Sequence, residues 1–259
     1  MKKAVNLYFY KADTKEKLNA IKNNGYDGVL LSIYTKEETM SLDDQILYCK
    51  KIGLEIPMIH CQYNPAELDY FWDNESETAE KVMNDYIAQI ESISNSGIKN
   101  FVVHLSGLNP AKTSKYGLKR LEKILKICEK YNINLCIENL EYPYQTEYIF
   151  ENISHKNLSF CYDSGHKNCF SRDSKIAQKH SKIITSLHIH DNDGTRDGHM
   201  ILGQGTANIE LLAKEISMSS CDFLTAEIKY RNTEHSMDDI LKQNLTALVS
   251  LDNKIQKLK

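Results

Sequence analysis

A single closed (β/α)8 barrel is the fold this sequence predicts, on three observations. Eight short apolar or β-branched runs alternate with longer stretches of helical periodicity along 259 residues. No Pro/Gly-rich linker or shift in composition divides the chain, so 1–259 reads as one domain of a length that one barrel commonly fills. The first run leads into Tyr8-Phe-Tyr-Lys-Ala-Asp13, which lacks glycine. A doubly wound open sheet that binds nucleotides usually carries a glycine-rich phosphate loop at that place, so the barrel is preferred.

Taken in order, the first strand is expected over 5–10 and the first helix over 14–23, stopping at Asn24-Gly25. The second strand spans 28–33, and its helix, 42–51, ends at Ile52-Gly53. The third, 55–60, ends on His60 and is followed by a helix at 77–95 that closes at Ser96-Gly97. The fourth, 100–104, ends on His104. Its helix, 115–130, has the clearest two-sided pattern: Leu118, Leu121, Ile124, Leu125 and Cys128 on one face, lysines and glutamates on the other. The fifth and sixth strands, 134–138 and 158–163, end on Glu138 and Asp163. The seventh, 184–190, carries His188 and His190 and precedes a helix at 209–217. Glu227 falls near the end of the eighth, 223–228.

Composition sets the outer limits. Hydrophobic residues are 41% and charged residues 26%, ordinary for a soluble domain, and the net charge of −3 offers no general attraction to nucleic acid or anionic membrane. Seven cysteines occur without a CxxC pair, an odd number that argues for a reducing compartment rather than a disulfide framework. Cys136 and Cys161 sit in apolar runs and read as small buried hydrophobes. Lys11, Asp13 and Lys15 interrupt the N-terminal segment too early for a signal peptide, and no run approaches a membrane span of about 18 apolar residues. A cytoplasmic protein is the expectation. A homo-oligomer is compatible with the sequence, which does not specify the state.

The densest chemistry lies in His188-Ile-His190-Asp191-Asn192, Asp197-Gly-His199 and Leu202-Gly-Gln-Gly205. Imidazoles and carboxylates gathered at a strand end are what a divalent metal requires, because both offer lone pairs near neutral pH. In a barrel, His60, His104, Glu138, Asp163, His188 and Glu227 meet on one rim, the face where active sites of this fold are built. Singly, each has a plainer reading: a strand-end histidine can simply satisfy a neighbouring carbonyl. A carboxylate ending a buried strand is costly unless paired or coordinated, which favours function for Glu138 and Asp163. His190 is read as supporting the ligands rather than joining them.

In these motifs the chain resembles the xylose isomerase-like TIM barrels, which include sugar and sugar-phosphate isomerases and epimerases and also endonuclease IV. The matching segments are Ile59-His60-Cys-Gln-Tyr63, Val103-His104, Ile137-Glu138-Asn139, Asp163-Ser-Gly-His166, His188-Ile-His-Asp-Asn192, Asp197-Gly-His199 with Gly203-Gln-Gly205, and Ala226-Glu227, in order along the chain. The resemblance implies a metal core of Glu138, Asp163, His188 and Glu227 holding Zn, Mn, Co or Mg. It further implies isomerisation or epimerisation next to a carbonyl of a small sugar or sugar phosphate, with Glu138 and Glu227 taking and returning the proton. His166 and His199 would then hold substrate hydroxyls, and Lys229 or Arg231 a phosphate or carboxylate. Solvated loop charge is the plainer reading of both cations and the favoured one.

The endonuclease IV branch implies a second outcome. His60, His104, His166, Asp197 and His199 would add ligands for a zinc cluster that cleaves phosphodiesters at abasic DNA. Against it, loop 61–76 carries Glu67, Asp69, Asp73 and Glu75 without a cation, and loop 139–147 carries Glu141 and Glu147, so DNA is the lesser expectation. A metal-binding module without turnover is the third. Tyr63 and Trp72, in the loop after the third strand, could face a sugar ring, or the Phe71-Trp72 pair could anchor the next helix against the barrel.

Overall fold

The structure, a computed structural model, describes residues 1–259 apart from 35, 108 and 231–233. Eight parallel strands, β1 (Lys2–Asn6), β2 (Gly28–Ser32), β3 (Ile59–His60), β4 (Asn100–Val103), β5 (Asn134–Glu138), β6 (Leu158–Asp163), β7 (Ile184–His188) and β8 (Phe223–Ala226), form one sheet in the order β7-β6-β5-β4-β3-β2-β1-β8. The ring closes just past β7: Ile189 N donates to Thr225 O at 2.8 Å and Glu227 N to Ile189 O at 3.1 Å. The fold is the predicted (β/α)8 barrel.

Strands β7 and β8 each stop two residues short of the expected end, leaving His190 and Glu227 just beyond them, and two other strands depart further for local reasons. β1 begins at Lys2 and ends at Asn6, and residues expected to continue it form a single tight turn, Leu7–Phe9. β3 retains only Ile59–His60. Pro57 has no N–H to offer a ladder, and Glu55 makes only an isolated bridge to Gly28. The expected helices form at Thr14–Asn23, Leu42–Ile52, Glu77–Ser92, Lys115–Tyr131 and Ile209–Ser217. Pro65–Leu68 and Pro143–Asn152 start on proline, whose missing N–H costs nothing at a helix start. Ser164–Phe170, Ile176–Lys179 and the C-terminal Met237–Gln256 complete the α-helices among the described residues. No described helix is long and apolar enough to cross a membrane.

The two-residue period of the strands then delivers the rim. Leu30, Met58, Val102, Cys136 and Cys161 pack together as the floor inside the ring. Two residues further along, on the same face, stand Ser32, His60, His104, Glu138 and Asp163. Register confirms the alignment, since Ser32 pairs with His60 and Asp163 with His188. The alternate residues, among them Leu31, Ile59, Phe101, Val103 and Ile137, face outward into the larger core beneath the helices.

Candidate metal centre

Glu138, Asp163, His188 and Glu227 converge: one ligand atom from each lies within 4.8 Å of the others, and all four side chains are buried. His188 Nδ1 is 3.1 Å from Glu138 Oε1, 3.1 Å from Glu227 Oε2 and 3.7 Å from Asp163 Oδ2. Four donors each about 2.1 Å from one ion, arranged tetrahedrally, would stand about 3.4 Å apart. The observed spacings bracket that value. Three buried carboxylates grouped around one imidazole also form a donor set that a divalent cation would neutralise. The residues fit such an ion.

Five further histidines surround the core. His104 Nε2 is 2.9 Å from Glu138 Oε2, His60 Nε2 is 3.5 Å from the same oxygen, and the two imidazole nitrogens are 3.2 Å apart. His166 Nδ1 is 3.3 Å from Glu138 Oε1 and 2.9 Å from Asn139 O. His199 Nε2 is 2.9 Å from Asp197 Oδ2, and His166 Nε2 is 3.5 Å from that atom. His190, fully buried, sets Nε2 3.2 Å from Asp163 and stacks on His199 with ring centres 4.3 Å apart. It therefore touches both an expected ligand and an expected substrate contact.

Electrostatics follow from this mixture. Burial would push Glu138 up, but His188 and His104 hold its carboxyl well below the usual range. Burial likewise opposes ionisation of Glu227, and His188 and His199 outweigh it. Burial disfavours charge on His166, yet Asp163, Asp197 and Glu138 push its pKa up to about 10. His199, opposed by burial but faced by Glu227 and Asp197, rises to about 9. Burial lowers the pKa of His104, against the pull of the Glu138 charge. The phenol of Tyr8 is raised well above its ordinary range by burial and by the Glu227 charge.

Above the core opens a cavity of about 500 Å³, walled by Tyr8, Ser32, Tyr34, Glu37, Glu38, Gln45, His60, Tyr63, His104, Glu138, His166, Asp197, His199, Glu227 and Lys229, among others. Tyr63 leans over His104 with ring centres 4.4 Å apart. Arg231 lies outside the described residues. Trp72 is not in the cavity, and its expected sugar contact is withdrawn. Its indole is buried, Nε1 donates to Leu105 O at 2.8 Å, and a Cβ on Gly117 would meet the ring at 2.1 Å. It pins the helix Lys115–Tyr131 to the barrel, which is the anchoring alternative.

A second correction concerns the acidic loops. Asp69 is buried and accepts from Gly107 N at 3.0 Å and Asn109 N at 3.1 Å. Asp73 pairs with Lys112 at 3.0 Å, and Glu67 with Lys81. None of these acids walls the cavity. Its acidic lining outside the core comes instead from Glu37, Glu38 and Asp197. Sequence reasoning also passed over Tyr8, whose O–H donates to Glu227 Oε1. Its place directly beyond the first strand was the available signal.

Asp191 organises the loop that brings in Asp197 and His199. Its carboxylate accepts from the backbone N–H groups of Asn192, Gly203, Gly205 and Ala207 at 2.8–3.0 Å. Gly205 is required there, because a Cβ would stand 2.2 Å from Asn192 O. His199 adopts φ +46, a left-handed backbone that a side chain rarely takes and that the surrounding contacts must hold.

Comparison with known proteins agrees with the barrel fold. Residues 18–251 match the family described as xylose isomerase-like TIM barrel. Among solved structures, one of L-ribulose 3-epimerase superposes with a TM-score of 0.81 at 15% identity, covering 99% of this chain and 96% of that one. The IOLI protein with a bound zinc atom gives 0.79 at 16% identity, covering 99% of each chain. D-psicose 3-epimerase with D-tagatose, from Clostridium cellulolyticum H10, gives 0.76 at 12% identity, covering 98% of this chain and 99% of that one. In sequence, the uncharacterized protein MJ1311 of Methanocaldococcus jannaschii is 30% identical over 137 residues, 48% of this chain and 47% of that protein. The matches span about half or less of the length of the curated relatives.

Proposed function

The chain belongs to the xylose isomerase-like TIM barrel family, and on that premise we propose that it is a divalent-metal-dependent isomerase or epimerase of a small sugar or sugar phosphate. The observation that carries this reading is the convergence of Glu138, Asp163, His188 and Glu227 within 4.8 Å beneath a cavity of about 500 Å³. That space suits a small polar molecule. Bound to these four residues, a divalent ion would supply Lewis acidity that eases removal of a carbon-bound proton beside a carbonyl.

The chain's own groups do the rest. Glu138 and Glu227, both held ionised by neighbouring imidazoles, are able to take a proton from one face of the substrate and return one on the other. His166 and His199 present ring nitrogens to substrate hydroxyls. Tyr63 walls the cavity beside them, and Lys229 at its mouth suits a phosphate or carboxylate. Arg231 is assigned the same role from sequence alone. Seven free cysteines support a reducing, cytoplasmic setting.

The test is metal content per chain, measured together with exchange of substrate C–H for deuterium over a panel of ketoses and ketose phosphates in deuterated water. One ion per chain with exchange upholds the reading; an ion without exchange anywhere in the panel points to a binding module and refutes turnover. A second reading has its own observation. His60-His104-Glu138, Asp163-His166-His190 and His190-His199-Glu227 are further groups with ligand-compatible spacing. Three zinc ions per chain, with cleavage of an abasic duplex, would move the assignment to a phosphodiesterase.

A further inference from the structure

Tyr8 has no role in the reading above. It sits in the turn Leu7–Phe9 just past β1, walls the cavity, and donates its O–H to Glu227 Oε1. The other oxygen of that carboxylate, Oε2, is 3.1 Å from His188 Nδ1. One oxygen is thus turned to the ligand cluster while its twin is tied to the β1 side of the barrel.

The segment presenting the phenol is itself clamped to the segment presenting the acid. Asn6 Nδ2 donates to Ile228 O at 3.0 Å, Ile228 N donates to Asn6 Oδ1 at 2.9 Å, and Tyr230 N donates to Phe9 O at 2.7 Å. On the strands beneath, Val5 and Ala226 are register partners. The last torsion of a glutamate is broad, so an unrestrained Glu227 would present either oxygen at many angles. A hydroxyl delivered from a fixed backbone removes that freedom.

Resting on the metal-dependent reading, we propose that Tyr8 is a positioning residue, whose hydroxyl orients the Glu227 carboxylate so that Oε2 serves as a ligand atom for the divalent cation. Such outer hydrogen bonds to a ligating carboxylate typically change metal affinity by about 10–100-fold. The hydroxyl's hydrogen bond to the four-residue core goes to Glu227, while His188 and Glu138 lie near enough to the phenol to act on it only through their charge.

The experiment is calorimetric titration of the metal-stripped full chain with Mn2+ and, separately, with Zn2+. Wild type, Tyr8→Phe, Glu227→Gln and the double variant are compared, with the thermal midpoint of each stripped protein recorded alongside. The expected result is a loss of about 10–100-fold for Tyr8→Phe with a near-native midpoint, and a double variant no weaker than Glu227→Gln alone. Wild-type affinity in Tyr8→Phe, or losses that simply add in the double variant, overturns the proposal while leaving metal binding by the wild type intact. A wild type that takes up neither ion overturns both.

Discussion

Replacing Glu138 by glutamine keeps the side chain's shape and removes its charge, which makes it the sharpest probe of the proposed chemistry. The carboxylate faces four imidazoles, with His104 Nε2 at 2.9 Å, His188 Nδ1 at 3.1 Å, His166 Nδ1 at 3.3 Å and His60 Nε2 at 3.5 Å. An amide cannot neutralise those that carry a proton, and its NH2 cannot accept a hydrogen bond from them. Breaking a buried charge pair costs about 3–5 kcal/mol as a ceiling. Imidazoles relieve part of that by losing their protons, so a domain stable by about 5–15 kcal/mol remains folded. Catalysis fares worse. Loss of a positioned acid–base group lowers rates by about 10²–10⁴-fold, or about 2.7–5.4 kcal/mol in the barrier. The assay is proton NMR of substrate C–H exchange in deuterated water, with wild type and variant brought to equal metal occupancy and checked by circular dichroism. Exchange by Glu138→Gln at more than a tenth of the wild-type rate, at equal occupancy, would refute the assignment of Glu138 as a proton carrier.

Three further outcomes are expected. Stripping the metal with a chelator should lower the thermal midpoint by about 5–10 °C, since an ion at 100 times its Kd stabilises by about 2.7 kcal/mol; an unchanged midpoint in scanning calorimetry would count against any bound ion. In the metal-free protein, His166 and His199 have pKa values raised to about 10 and about 9. Their stabilisation is complete below the unfolded value of about 6.5 and is lost as pH rises through 9 and 10, so midpoints should fall over that window, and less so in Asp197→Asn; a flat profile contradicts the pairing. Trp72→Ala should cost about 3–5 kcal/mol in denaturant titrations, by emptying the space against Gly117. A KM change without a stability loss would return Trp72 to the substrate.

Much of the site was legible because strand ends are marked twice in sequence, once by apolar period and again by the polar residue that ends it. Asn134–Glu138 and Leu158–Asp163 form with the expected bounds, and both acids stand where the two-residue period puts them. What stayed hidden depends on partners far along the chain. Nothing near Trp72 reveals that Gly117 leaves room for its ring, and nothing near Asp69 distinguishes an acid gathering loop amides from one facing solvent. The role of Tyr8 depends on a contact 219 positions away. Closure of the ring rests on Ile189, a residue whose own sequence context reads only as strand.

The join between β7 and β8 has a structural corollary. Among the described residues the Ile189 amide and carbonyl stitch these two staves at the upper end, and His188 and Glu227 are the immediate chain neighbours of that stitch on either side. Unzipping the barrel there would separate the imidazole from the carboxylate by the same motion. An ion gripped by both would act as a rivet through that seam of the wall.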